Sequence, residues 1–220
     1  MKKLPGEIER SSLAIIREEL DRRGTVPAAE NEAVILRCIH ASADFDYAET
    51  LRFTPGAVSL GVQALRRGTE IVTDTNMALA GISRPALERL GGRAYCFMAE
   101  DFIAEAAKTG GTTRASAAMD YAAKHHPGAI LAVGNAPTAL LRIAEHMEQG
   151  LRPALVIAVP VGFVNVAESK EAVLAACRKH GVPCIAAMGR KGGSSIAAAV
   201  CNALLYTAAD MLEPEMRGWN

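Results

Sequence analysis

The chain has 220 residues, half of them hydrophobic and 22% charged, a balance that excludes disordered, collagen-like and coiled-coil proteins and leaves enough apolar side chains for a full core. Its 24 Lys and Arg are cancelled by 24 Asp and Glu, so no global field draws it to nucleic acid, and any bound anion must be met by a few placed groups. The five cysteines (Cys38, Cys96, Cys177, Cys184, Cys201) form no C-x-x-C pair and sit among apolar neighbours, which reads as reduced core thiols.

The first residues, Met1-Lys2-Lys3-Leu4-Pro5-Gly6-Glu7, lack an apolar signal-peptide core, and a cytoplasmic address is expected. Residues 8–22 carry Leu13, Ile16 and Leu20 on one side of an amphipathic helix, and 28–39 read as a second. From residue 70 onward short apolar runs alternate with helical spacing, the pattern of βαβ units on a parallel sheet. Five strands are predicted, at 70–73, 94–97, 129–133, 154–159 and 183–187. Helices are predicted at 57–67, 84–90, 113–124, 137–149, 168–180 and 194–208. Pro137 suits a first helical turn, and Gly150 and Gly181 suit left-handed caps. The third and fourth strands are nearly continuous apolar runs, which places them at the centre of a sheet covered on both faces. The longest apolar run, 154–164, is broken by Pro160 and Gly162 and is too short to span a bilayer, so no membrane partner is expected. With no linker or repeat in view, residues 1–220 read as a single domain.

In open α/β folds ligands sit beyond the carboxyl ends of the strands. The segments there are polar and glycine-rich: Thr73-Asp74-Thr75-Asn76, Gly134-Asn135-Ala136-Pro137-Thr138, Pro160-Val161-Gly162-Phe163-Val164-Asn165 and Gly189-Arg190-Lys191-Gly192-Gly193-Ser194-Ser195. Each opens into a helix, where backbone N–H groups favour anions. The last reads either as an anion cradle or as a capped turn with solvated charges. Neither G-x-x-x-x-G-K-[ST] nor G-x-G-x-x-G is present, so no nucleotide is indicated, and no G-x-S-x-G elbow marks an acyl-transfer nucleophile. His125, His126, His146 and His180 read as structural or solvated. His40 ends the apolar stretch 33–39 and reads either as a core histidine or as a chemical group; nothing lies at metal-ligand spacing from it, so no metal site is expected.

Taken together, Arg10-Ser11-Ser12-Leu13-Ala14-Ile15-Ile16-Arg17, Arg37-Cys38-Ile39-His40, Thr112-Thr113-Arg114, Gly134-Asn135-Ala136-Pro137-Thr138-Ala139-Leu140, Pro160-Val161-Gly162-Phe163-Val164 with Glu168-Ser169-Lys170, and Gly189-Arg190-Lys191-Gly192-Gly193-Ser194 resemble the precorrin-8X methylmutases of cobalamin biosynthesis. The resemblance runs from residue 10 to about 205. It implies a three-layer α/β/α domain with a mainly parallel five-stranded sheet preceded by N-terminal helices, a homodimer, and an isomerase that needs no external cofactor. The implied substrate is a ring-contracted tetrapyrrole rich in carboxylates. A methyl group moves from carbon 11 to carbon 12, giving hydrogenobyrinate, or cobyrinate when cobalt is already in the ring. Residues 43–47 resemble the branch acting on the cobalt-containing substrate.

The family's catalytic histidine falls on His40. A methyl shift within one molecule requires no nucleophile, hydride donor or Lewis acid; it requires control of the π-system, and a histidine that lends a ring nitrogen a proton supplies that. Ser12 and Arg37, in elements flanking the histidine, are the expected substrate contacts. Arg114, Asn135, Thr138, Arg190 and Lys191 are expected at the peripheral carboxylates, which arginine grips bidentately. Phe45, Tyr47, Phe53, Phe163 and Val164 are candidate apolar walls or core residues.

Overall fold

Residues 4–218 are described by the computed structural model. The N-terminal part forms α1 (Pro5–Arg22), α2 (Glu32–Ser42), α3 (Tyr47–Thr50), β1 (Leu51–Phe53) and α4 (Ala57–Arg66). Next come β2 (Ile71–Thr73), α5 (Asn76–Gly81), α6 (Arg84–Arg89), β3 (Ala94–Cys96), α7 (Asp101–Thr109) and α8 (Arg114–His125). Then follow β4 (Ile130–Val133), α9 (Pro137–Glu148), β5 (Leu155–Ala158), α10 (Val166–His180), β6 (Cys184–Ala187), α11 (Ser194–Ala208) and a 3-10 turn, Pro214–Arg217.

The strands line up as β1-β6-β5-β4-β2-β3, parallel throughout except for β1, which runs antiparallel to β6. The two apolar runs expected at the centre, β4 and β5, are there. Alternation divides their side chains between two cores. Ile130, Ala132, Leu155 and Ile157 join the layer containing α2, α4, α5, α6 and α11, whereas Leu131, Val133, Val156 and Ala158 join α7, α8, α9 and α10. Each Ile, Leu or Val so buried contributes about 1.5–3 kcal/mol. The N-terminal helices reach the sheet through α11: α2 packs on α11, and α1 packs on α2 and on the final 3-10 turn. Among the described residues no helix is long and apolar enough to cross a membrane.

The expectation of five strands is corrected to six. β1 is three residues long and its alternation, Leu51 in and Arg52 out, is too brief to register as a pattern. It forms because β6 offers an open edge, and the ladder is extended by Met188 N–H to Thr50 O at 2.9 Å and Thr54 N–H to Cys184 O at 3.0 Å. The second helix is also corrected, from 28–39 to Glu32–Ser42. Residues 28–31 form a turn, and the helix runs on until Ala43 adopts a left-handed conformation at φ 56°. His40 therefore lies in the last helical turn. The short helices α3, α5 and α7 were not foreseen either.

The order in which strands are added reverses between β2 and β4: β3 lies to one side, and β5 and β6 to the other. This is the switch point at which open α/β sheets form their ligand crevice.

Candidate active site

At the switch point the residue after β2, Asp74, is fully buried. Its Oδ1 accepts the Gly134 N–H at 2.8 Å, and its Oδ2 accepts those of Asn135 at 2.8 Å and Ala136 at 2.7 Å. Burial pushes the carboxyl above its ordinary pKa, and the three amide bonds act in the opposite direction. The carboxylate thereby holds the β4–α9 loop, which presents Asn135 and Thr138 to solvent. Thr138 Oγ1 lies 3.0 Å from Thr113 Oγ1, the side chain that caps α8, so the starts of α8 and α9 adjoin. Arg114 opens α8, is exposed, and forms no ion pair among the described residues.

The loops after β5 and β6 continue this rim. Gly193 N–H donates to Val159 O at 2.8 Å and Gly162 N–H to Arg190 O at 3.2 Å. At Gly192 (φ 157°) a Cβ would overlap the Val159 carbonyl oxygen and lie 2.7 Å from Pro160 O, so the turn seats on the end of β5 only with glycine there. Thr75 Oγ1 and Ser194 Oγ, 2.7 Å apart, join the β2 loop to the start of α11. Behind the turn, the buried Lys170 ammonium donates to Gly189 O at 2.9 Å and Lys191 O at 2.8 Å. Its desolvation lowers its pKa to about 8. In front, Lys191 Nζ lies 2.7 Å from Asp44 and 2.5 Å from Asp46, whose hydrogen bonds hold its pKa above the ordinary value. Those aspartates lie in the short segment between α2 and α3, so the β6 turn is tied to the end of the histidine's helix.

His40 differs from the other histidines. His126 pairs with Glu70, His146 with Asp120 and His180 with Glu148, while His125 packs on the Tyr121 ring. His40 is exposed and its ring has no hydrogen-bond partner among the described residues. Its pKa is lowered first by partial desolvation, then by the Arg37 charge; Glu9 opposes this and Arg217 adds to it. These three form a cluster beneath it. Buried Glu9 meets Arg37 Nη1 at 2.8 Å and Arg217 Nη2 at 2.7 Å, and both guanidiniums lie over the Tyr206 ring, at 5.2 and 4.5 Å from its centre. The rim thus offers exposed cations and helix starts for an anionic ligand beside an unpartnered imidazole.

A sequence model of the precorrin-8X methylmutases matches residues 7–207. The chain belongs to the precorrin-8X methylmutase family. The cobalt-precorrin-8 methylmutase of Salmonella typhimurium is 43% identical over 208 residues, covering 92% of this chain and 95% of that protein. The precorrin-8X methylmutase of Pseudomonas aeruginosa is 40% identical over 198 residues, covering 90% and 93%. The crystal structure of the precorrin-8x methyl mutase from Thermus thermophilus superposes with a TM-score of 0.82 at 40% identity, covering 92% of this chain and 98% of that one.

In this methylmutase fold the expected residues fall into three groups. His40 and Arg37 share the end of α2. Arg190 and Lys191 share the β6 turn, with Lys191 already engaged by two aspartates and Arg190 lying 5.6 Å from the centre of the Phe163 ring. Asn135, Thr138 and Arg114 line the α8–α9 side. Ser12 lies on α1, which packs on α2; its Oγ donates to Ile8 O at 2.8 Å, and no hydrogen bond links it to His40. Of the expected apolar walls, Phe163 and Val164 are exposed at 83% and 76%, whereas Tyr47 is buried and Phe45 and Phe53 pack against the core. Among the described residues three buried charges escaped the sequence reading: Glu9, Asp74 and Lys170. Asp74 and Lys170 lay inside quoted motifs, but nothing in a sequence marks a charge as buried.

Proposed function

We propose that this chain, a precorrin-8X/cobalt-precorrin-8 methylmutase of cobalamin biosynthesis by family, moves the methyl group from carbon 11 to carbon 12 of its corrinoid with His40 as the proton donor and acceptor. The single observation that carries the role is the unpartnered imidazole of His40 among four histidines that are otherwise engaged. Protonating a ring nitrogen makes the neighbouring carbon electron-poor and eases migration; afterwards the proton returns to the imidazole, so no atom is gained or lost. Arg114, Asn135, Thr138, Arg190 and Lys191 are read as the contacts for the peripheral carboxylates, with Arg37 and Ser12 as further substrate contacts nearer the histidine and Phe163 and Val164 as apolar cover. No external cofactor enters this reading.

Residues 1–220 are read as one domain, cytoplasmic and homodimeric. The support for one domain is a single sheet that takes strands from residue 51 to residue 187. The support for a dimer is the exposed apolar side chains Leu4, Ile8 and Ile15 on and beside α1. Incubation with metal-free and cobalt-loaded substrate, followed by ultraviolet-visible absorption, tests the reaction, because migration alters the chromophore. Conversion of at least one substrate is the expected result; binding of both without conversion would instead identify a corrinoid-holding protein.

The site also sets a pH dependence. kcat/KM reports the free enzyme, in which the pKa of His40 lies below the ordinary value of about 6.5. If the cationic ring delivers the proton, kcat/KM falls as pH rises through that lowered value. Arg37→Met removes one cause of the lowering, and with Glu9 still near and Arg217 opposing it, the falling limb is expected to move to higher pH. A limb that stays in place would deny the coupling between Arg37 and His40.

A further inference from the structure

Among the described residues Lys170 is a charged side chain with no exposure and no carboxylate partner. An unpaired interior ammonium is costly, whereas a methionine of similar length would fill the volume without that penalty. What lysine offers and methionine lacks is hydrogen-bond donors, and both observed bonds go to main-chain carbonyls of one turn, those of Gly189 and Lys191. Drawing these two carbonyls inward leaves the side chains of Arg190 and Lys191 outward, and both are exposed. The same turn donates and accepts across to the β5 loop through Gly193 and Arg190, and its Lys191 reaches the aspartates that follow His40.

We propose that Lys170 is a positioning residue for substrate binding: from inside α10 it fixes the 189–191 turn so that Arg190 and Lys191 face the crevice as a preset pair of carboxylate contacts. This rests on reading those two cations as substrate contacts. Preset cations lose less freedom when an anion docks, so the benefit falls on binding and not on the chemical step.

Steady-state kinetics of Lys170→Met tests this. KM is expected to rise about tenfold, in keeping with the loss of charge-assisted hydrogen bonds, with kcat changed by less than about threefold. In an Arg190→Ala/Lys191→Ala background the same substitution is expected to change KM by less than about twofold, because the groups it positions are gone; full multiplication of the two effects would overturn the proposal. Lys170→Gln, which keeps a shorter donor, is expected to fall between wild type and Lys170→Met. Hydrogen exchange reads the turn directly. The amides of Gly162 and Gly193 are expected to exchange faster in Lys170→Met while the interior amides of α10 do not, and unchanged exchange at both glycines would overturn the proposal whatever the kinetics. Failure of both Lys170 variants to fold, seen by circular dichroism, would overturn it too, since it would make the lysine a support of the core. A wild-type protein that converts neither corrinoid would refute the proposed reaction and leave the exchange measurement to judge Lys170.

Discussion

His40→Ala is expected to lower kcat by roughly a hundred- to ten-thousand-fold, the usual worth of a positioned proton donor, which is about 3–5 kcal/mol of barrier. Corrinoid binding is expected to persist, because Arg114, Arg190 and Lys191, the cations assigned to the peripheral carboxylates, lie on other elements. Stability is expected to stay within about 0.5 kcal/mol of wild type, since the side chain is exposed and makes no hydrogen bond. The apolar residues that seat α2, Val34, Ile35, Leu36, Cys38 and Ile39, are untouched. Single-turnover absorption with saturating substrate measures the rate, and a spectral titration measures binding. Turnover at the wild-type rate would remove the imidazole from the mechanism.

Asp74→Ala is expected to have the largest effect on the fold, destabilising it by about 3–5 kcal/mol, because three amides that now share one carboxylate lose their acceptor together. The Gly134 amide is buried, so water is poorly placed to replace the lost bond. Asp74→Asn is expected to be milder: one carbonyl oxygen still accepts, but the side-chain amide turns its N–H groups toward main-chain donors. Urea unfolding of the three proteins checks the order, with the midpoint falling and the slope kept. Loss of the loop geometry is expected to raise KM as well, through Asn135 and Thr138. An Asp74→Ala protein as stable as wild type would show that the loop is held by its own turn chemistry.

How far the site could be read from the sequence differs from residue to residue. His40, Arg37 and the 189–191 turn were named from motifs, because glycine-rich turns and residue identities are written in the chain. The placing of His40 within a helix was not, since the end of α2 depends on Ala43 entering a left-handed conformation that favours glycine or asparagine. Lys191 was expected at a carboxylate of the substrate, and the fold also gives it two aspartates of its own chain. Those partners are about 145 residues away in the chain, and no spacing rule reaches so far. Ser12 matched its motif, and its hydroxyl donates to the main chain of its own helix, a bond the motif does not announce.

By itself the sequence determined the alternation of strands and helices, the central position of β4 and β5, and the family. Each of these follows from local periodicity or from runs of residue types, and a strand covered on both faces must be apolar whatever its neighbours are. Only the tertiary structure decided that β1 exists, that α1 and α2 reach the sheet through α11, and that Glu9, Asp74 and Lys170 are buried. The reason is physical: a three-residue strand is stable only against a partner's free edge, and whether a charge is solvated or buried depends on what the rest of the chain lays over it.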